Sequence, residues 1–169
     1  GSIQGPMDGT STDARALDAR FGAGHPGRVF ITGSSDDGGS ANHAGGTVAQ
    51  GGTAEVQIRK GHAGVLRMDL WYPDADRFDV EIVAPSGTVY GPFAAPPNSQ
   101  RAAAAPAGSG VTYYHNGSAV DFFGATSPRR EILIDIAGPV GLYTVRLIGT
   151  TVADGRFDAS LNPSTVYGT

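Results

Sequence analysis

The chain has 169 residues, 26 of them glycine and 11 proline, with no cysteine and a formal net charge of −4. That length can bury one full core, the lack of cysteine excludes disulfides and thiolate metal sites, and the glycine and proline content favours short strands joined by turns over long helices. The 12 basic residues, of which only Lys60 is a lysine, form no cluster, which argues against nucleic acid and against an anionic membrane surface, and no apolar run approaches the ~20 residues of a membrane span.

Residues 1–11 are turn-like, with Gly5-Pro6 and Asp8-Gly9-Thr10-Ser11. Gly1-Ser2 has the look of a cloning scar, so the chain reads as an excised piece and a missing export signal carries no weight. A helix is expected next. Ser11, Thr12 or Asp13 can accept a hydrogen bond from a free N–H at its start, Ala14, Ala16, Leu17 and Ala19 favour it, and Gly22 after Phe21 suits a left-handed stop. Val29-Phe30-Ile31 reads as a short buried strand, and a polar Gly/Ser/Asp loop follows over residues 33–46.

From Thr53 the pattern turns to period two, which places apolar side chains on one sheet face and charges on the other. Ala54, Val56 and Ile58 alternate with Glu55, Gln57 and Arg59; Leu66, Met68, Leu70 and Tyr72 with Arg67 and Asp69; Phe78, Val80 and Ile82 with Asp79 and Glu81. Pro85-Ser86-Gly87 turns into Thr88-Val89-Tyr90, and a long loop is expected from Gly91 to Gly110. That loop should be exposed, mobile and easily nicked, because Pro96, Pro97 and Pro106 bracket the helix-forming Ala102–Ala105 and nothing amphipathic anchors it. Asn116-Gly117 is the strongest hairpin signal, flanked by Val111–His115 and Ser118–Phe123. Ile132, Ile134 and Ile136 alternate with Glu131 and Asp135, and Leu142–Ile148 and Arg156–Leu161 are the last strands, joined at Asp154-Gly155.

Roughly eight strands at turn-separated spacing predict an all-β fold, a two-sheet antiparallel β-sandwich of jelly-roll type, with a short N-terminal helix–strand–loop segment. The expected divisions are 1–45 for that segment, 46–162 for the sandwich and 163–169 for a C-terminal exit.

Three stretches carry a resemblance. Gly5-Pro6-Met7-Asp8-Gly9-Thr10-Ser11 with Ala16-Leu17-Asp18, then Val29 through Gly39 with Asn42-His43-Ala44, and then Leu70-Trp71-Tyr72, Asp76-Arg77-Phe78-Asp79-Val80 and Ala84-Pro85-Ser86-Gly87 resemble segments of subtilisin-like serine peptidases that carry a β-sandwich inserted in the catalytic domain. The resemblance implies that the triad segments lie outside this chain, the Asp and His upstream and the Ser downstream. It also implies that Asp36 stands where the family has the asparagine that donates to the oxyanion. An ionised carboxylate has no donor, so the gene was altered, the alignment slips by one residue or the parent is catalytically impaired; the gap-free match through Gly38 favours a real substitution.

Other candidates come from the residues themselves. Ser11 reads as a helix cap, because Thr12-Asp13 follow it where a nucleophile motif needs small residues and a proline. His25, His43, His62 and His115 are scattered, and a triad is defined by geometry. Asp74, Asp76 and Asp79 form a D-x-D-x-x-D cluster that reads as a solvated acidic turn or as hard-oxygen ligands for calcium. In the pairs Trp71-Tyr72 and Tyr113-Tyr114, alternation sends Trp71 and Tyr114 away from the core, where they could bind a ligand by stacking. Asn116-Gly117-Ser118 fits a glycosylation sequon that the turn already explains.

The expected function is a non-catalytic accessory domain of a secreted, extracellular bacterial subtilisin-like endopeptidase, which affects substrate access, stability or association. Its expected partners are the catalytic domain in cis and a polypeptide or polysaccharide, with no cofactor other than calcium. The rival is a carbohydrate-binding module of β-sandwich type.

Overall fold

The computed structural model describes residues 8–31, 41–118 and 127–163. Asp36, most of the Gly-rich loop, residues 119–123 of the expected hairpin and residues 164–169 of the expected exit lie outside them. The described elements are α1 (Thr12–Phe21), β1 (His43–Thr47), β2 (Thr53–Lys60), β3 (Leu66–Pro73), β4 (Arg77–Val83), β5 (Val89–Phe93), β6 (Arg101–Ala104), β7 (Val111–Asn116), β8 (Arg129–Ile136), β9 (Gly141–Thr151) and β10 (Arg156–Pro163).

The strands form two antiparallel sheets, a six-stranded one in the order β1-β10-β3-β8-β7-β6 and a four-stranded one in the order β2-β9-β4-β5. The chain crosses between sheets at β1–β2, β2–β3, β3–β4, β5–β6, β8–β9 and β9–β10. That winding is a jelly roll, with β6 and β7 widening one sheet. The alternation read from the sequence sets the inner faces. Leu66, Met68, Leu70 and Tyr72 of β3, Ile132, Ile134 and Ile136 of β8, Val56 and Ile58 of β2, and Tyr143, Val145 and Leu147 of β9 join one buried core. Each such side chain contributes roughly 1.5–3 kcal/mol by leaving water.

Two strands were not legible. β1, with the sequence HAGGT, has no apolar alternation, yet it pairs with β10 from His43↔Ser160 to Thr47↔Arg156. The Phe157 ring lies against Gly46, where a Cβ would come within 2.9 Å of it, so a small residue is required. β1 also straddles the expected boundary at residue 45. β6 (RAAA) corrects the long-loop expectation: Ala runs are helix formers, but here the segment pairs with β7 from Arg101↔Asn116 to Ala104↔Tyr113.

Three further expectations are corrected. Val29, Phe30 and Ile31 are not a buried strand; they are 74%, 51% and 88% exposed, pair with none of the described strands, and meet α1 in a Phe21–Phe30 ring contact at 5.5 Å. Asn116-Gly117 is not the expected tight turn: neither residue has a positive φ, and β7 pairs with β6 on one side and β8 on the other, while residues 119–123 of the expected return strand lie outside the described residues. Gly117 instead lets the chain pass close to residues 97 and 98, where a Cβ would fall 2.3 Å from the Asn98 carbonyl. α1 starts as expected, with the Ser11 hydroxyl accepting from the Ala14 N–H at 3.2 Å, but it ends at a Gly22 with an extended backbone (φ −67°, ψ −178°).

One end of the core is polar. Arg130 is fully buried on the inner face of β8. It donates to the Tyr72 hydroxyl at 3.0 Å, to Asn98 Oδ1 at 2.6 Å and to the Pro96 carbonyl. Arg77 donates to the same Asn98 oxygen at 2.6 Å. His115 lies between Tyr72, 2.6 Å from Nε2, and Tyr113, 2.8 Å from Nδ1. With Arg130 donating to Tyr72, a consistent assignment has Tyr72 donate to Nε2 and Nδ1–H donate to Tyr113, which requires a neutral ring. Burial, with Arg130 and Arg77 nearby, lowers the His115 pKa to about 3, and burial raises that of Tyr72 to about 12.

Two outcomes follow from this architecture. A chain starting at Ala41 keeps all ten strands and should unfold in one cooperative thermal transition, whereas one starting at Val48 loses β1 and should melt lower; absence of a cooperative transition in the longer piece would refute the boundary. His115 is neutral when folded and protonates below about pH 6.5 when unfolded, so its contribution is lost as pH falls from there through about 3. Denaturant unfolding should show roughly 1–3 kcal/mol lost across that window, and His115→Gln should flatten this limb.

Candidate functional site on the outer face of the six-stranded sheet

The side chains facing away from the core on the six-stranded sheet should be wet, and several are not. Asp69 and Trp71 of β3, Glu131 of β8, Asn116 of β7 and Ser160 of β10 are all buried, at 6% exposure or less. Registers place Asp158, Trp71, Glu131, Asn116 and Arg101 in one row across β10, β3, β8, β7 and β6. Within this row the Arg101 guanidinium donates to Asn116 Oδ1 at 2.6 Å, and the Asn116 amide donates to Glu131 Oε2. Asp69 sits one row along, diagonal to Glu131 and opposite Ser160.

The electrostatics of this patch are set by two carboxyl groups out of water. Burial raises the Glu131 pKa first and the neighbouring Asp69 raises it further, while the Asn116 hydrogen bond and Arg101 oppose them; the result is about 8. Burial and the proximity of the two carboxyl groups both favour a protonated form of this pair over a doubly ionised one. Further along the face, Arg67 grips Asp135 with two bonds at 2.5 and 2.6 Å. The N-terminal segment is fastened to the same face: Asp8 Oδ2 accepts from the Ser127 hydroxyl at 2.8 Å and lies 4.0 Å from Arg129 Nε.

The residues singled out in the sequence separate. Trp71 and Tyr114 both lie on this outer face, as alternation indicates, but two strands apart, about 10 Å, with Trp71 6% exposed and Tyr114 half-buried. Asp76 is fully buried and occupied, its carboxylate accepting from the backbone N–H groups of Ala153, Asp154 and Gly155. Asp79 accepts from the Ala95 N–H at 3.0 Å, and Asp74 is bonded to the chain through its backbone to Pro128 and Arg77. Among the described residues no three His, Asp or Glu side chains converge as a metal site. Asp69 and Glu131 escaped the sequence reading because alternation marks both as solvent-facing. The usable signal was Trp71 and Leu133 on the same outer faces, since large apolar groups there indicate cover.

No protein-family profile matches the sequence, and no curated protein matches it. Five chains among solved structures do match. One is the CspB protease of Clostridium perfringens, similar at a TM-score of 0.57 and 18% identity over 75% of this chain and 26% of that one. At that identity the likeness establishes the fold, and this chain spans about a quarter of that chain's length. No described helix is long and apolar enough to cross a membrane.

Asp76 has a measurable role. Removing a buried carboxylate that holds three backbone N–H groups leaves donors unsatisfied, so Asp76→Ala should cost roughly 3–5 kcal/mol in urea unfolding. The loss should be equal with and without EDTA; a loss seen only when calcium is present would show that the carboxylate acts through a cation.

Proposed function

We propose that this chain is a non-catalytic jelly-roll domain of a larger, secreted subtilisin-like endopeptidase, which acts on substrate access, on the stability of its parent or on association. The observation that carries this reading is the asymmetry of the structural likeness, which takes in 75% of this chain but 26% of a protease chain, as a module within a longer polypeptide would. The motif resemblances at residues 5–18, 29–44 and 70–87 support the subtilisin-like parent. Its partner is then the catalytic domain in cis, and the triad residues belong to the flanking polypeptide. A carbohydrate-binding role is the second reading; it rests on Trp71 and Tyr114 sharing one sheet face, and it is weakened by the burial of Trp71.

The purified chain should hydrolyse neither casein nor a chromogenic peptide, whereas the product of the full gene should do so through a serine outside residues 1–169. Hydrolysis by the isolated chain, abolished by mutating one of its own serines, would overturn the proposal. A saturable change in Trp71 fluorescence with one polysaccharide, lost in Trp71→Phe, would favour the second reading.

A further inference from the structure

β2 forms one margin of the four-stranded sheet. It pairs with β9 over residues 53–60 without a shift of register, and among the described residues no strand pairs with its other side. At the start of this ladder the Gly149 N–H donates to the Gly52 carbonyl. Successive residues of an antiparallel strand direct their peptide groups to opposite sides. The N–H and C=O groups of Thr53, Glu55, Gln57 and Arg59 are therefore turned away from β9. The side chains of the same four residues stand on the outer face and are exposed.

The charges on this face form a row that stops at the margin. Glu55 of β2, Arg146 of β9 and Glu81 of β4 are neighbours in register. Arg146 bonds both carboxylates, Glu55 at 3.0 Å and Glu81 at 3.4 Å. The row reads minus, plus, minus, and it ends on Glu55. Arg59, on the same margin, lies opposite the apolar Leu142 and makes no hydrogen bond or ion pair with any described residue. Gln57 stands midway between Glu55 and Arg59.

We propose that β2 pairs antiparallel with β2 of a second copy of this chain, about a two-fold axis at Gln57, joining the two four-stranded sheets edge to edge and setting Glu55 of each copy opposite Arg59 of the other.

The charges select that register. Unlike charges directly opposite one another stabilise a strand pair, and like charges destabilise it. With the axis at Gln57, both Glu55–Arg59 pairs form, and each minus-plus-minus row gains its missing cation. An axis at Glu55 sets two carboxylates together, and an axis at Arg59 sets two guanidinium groups together. An axis at Val56 or Ile58 leaves every charge opposite an uncharged residue. A slip by a single residue brings the buried Val56 and Ile58 opposite exposed positions and breaks the match of faces. With the axis at Gln57, Val56 of one copy lies opposite Ile58 of the other, so the inner faces agree as well. Residues 55, 57 and 59 of the two copies then exchange about six main-chain hydrogen bonds. The two-fold consumes both β2 margins, and the joined sheet ends on a β5 at each side, where Pro92 has no N–H to offer. The assembly therefore closes as a dimer.

The test is sedimentation equilibrium of the full chain at concentrations up to about 1 mM. The weight-average mass should rise from that of one chain towards that of two, and less steeply in high salt, which screens exposed pairs. Arg59→Glu sets carboxylates opposite each other and should weaken association about tenfold or more. Glu55→Arg should do the same with cations. Mixing the two variants restores both unlike pairs in a mixed dimer, so the mixture should associate at concentrations where neither variant does alone. Hydrogen exchange locates the contact: the amides of Glu55, Gln57 and Arg59 should slow as concentration rises. If Glu55→Arg, which faces Arg146, does not fold, then Arg59→Glu and these three amides decide. The dimer is refuted if the chain keeps the mass of a monomer across the range, if Arg59→Glu associates like the parent chain, if the mixture of two folded variants fails to associate, or if the three amides exchange equally fast at every concentration.

Discussion

A guanidinium cannot shed its charge at any accessible pH, and Arg130 is buried completely. Everything at that end of the sandwich is arranged to supply it with acceptors. Among the described residues no carboxylate is bonded to it; a tyrosine hydroxyl, an amide oxygen and a backbone carbonyl share the task. To bring the carbonyl of Pro96 and the side chain of Asn98 within reach, the chain after β5 must fold back over the sheet, which is why the segment before β6 is fixed in place. The same Asn98 oxygen also takes Arg77, so one amide tethers two cations from different sheets. The tyrosine that accepts from Arg130 then contacts His115, and the positive surroundings keep that imidazole neutral. A buried fixed charge thus determines a loop path and a protonation state.

The parts of this architecture that alternation could predict are those where one face meets the core and the other meets water. β2, β4 and β9 obey that rule, and their sequences reveal it. β1 and β6 form for a different reason: β10 and β7 present unpaired edges, and small residues such as Gly46 and Ala103 fit them without adding an apolar pattern. Val29–Ile31 show the opposite failure. Three consecutive apolar, β-prone residues look like a strand, but a strand needs a neighbour to bond with, and none of the described strands supplies one. The Asn-Gly pair at 116–117 was read by its turn preference, when what counted was the absence of a Cβ beside Asn98.

The candidate site exposes a deeper limit. Period two tells which face a residue occupies, not whether that face is wet. Alternation places Asp69 and Glu131 on the outer face, and it carries no sign that both are buried there. Their encounter depends on register, since Trp71 meets Glu131 only because β3 and β8 pair with that offset, and single-strand patterns carry no register. Asp76 shows the same thing within a turn. Its neighbours Asp74 and Asp79 look like a ligand set in sequence, yet its carboxylate closes the β9–β10 turn nearly eighty residues away.

The sheet margins have a consequence for how the protein behaves in concentrated solution. Open strands invite other chains to extend the sheet, and a sequence with only 17% charged residues offers little repulsion to prevent it. Three of the four margins are nevertheless poor templates. β1 is five residues long with two glycines, β6 has four residues between proline-containing segments, and β5 carries Pro92, which has no N–H to offer. Only β2, at eight residues, presents a long margin, and there Glu55 and Arg59 point outward beside the pairing groups. Edge-to-edge association of this domain is thus opposed at three of its four rims by strand length and backbone chemistry, and at the fourth by charge in every register that sets like charges opposite.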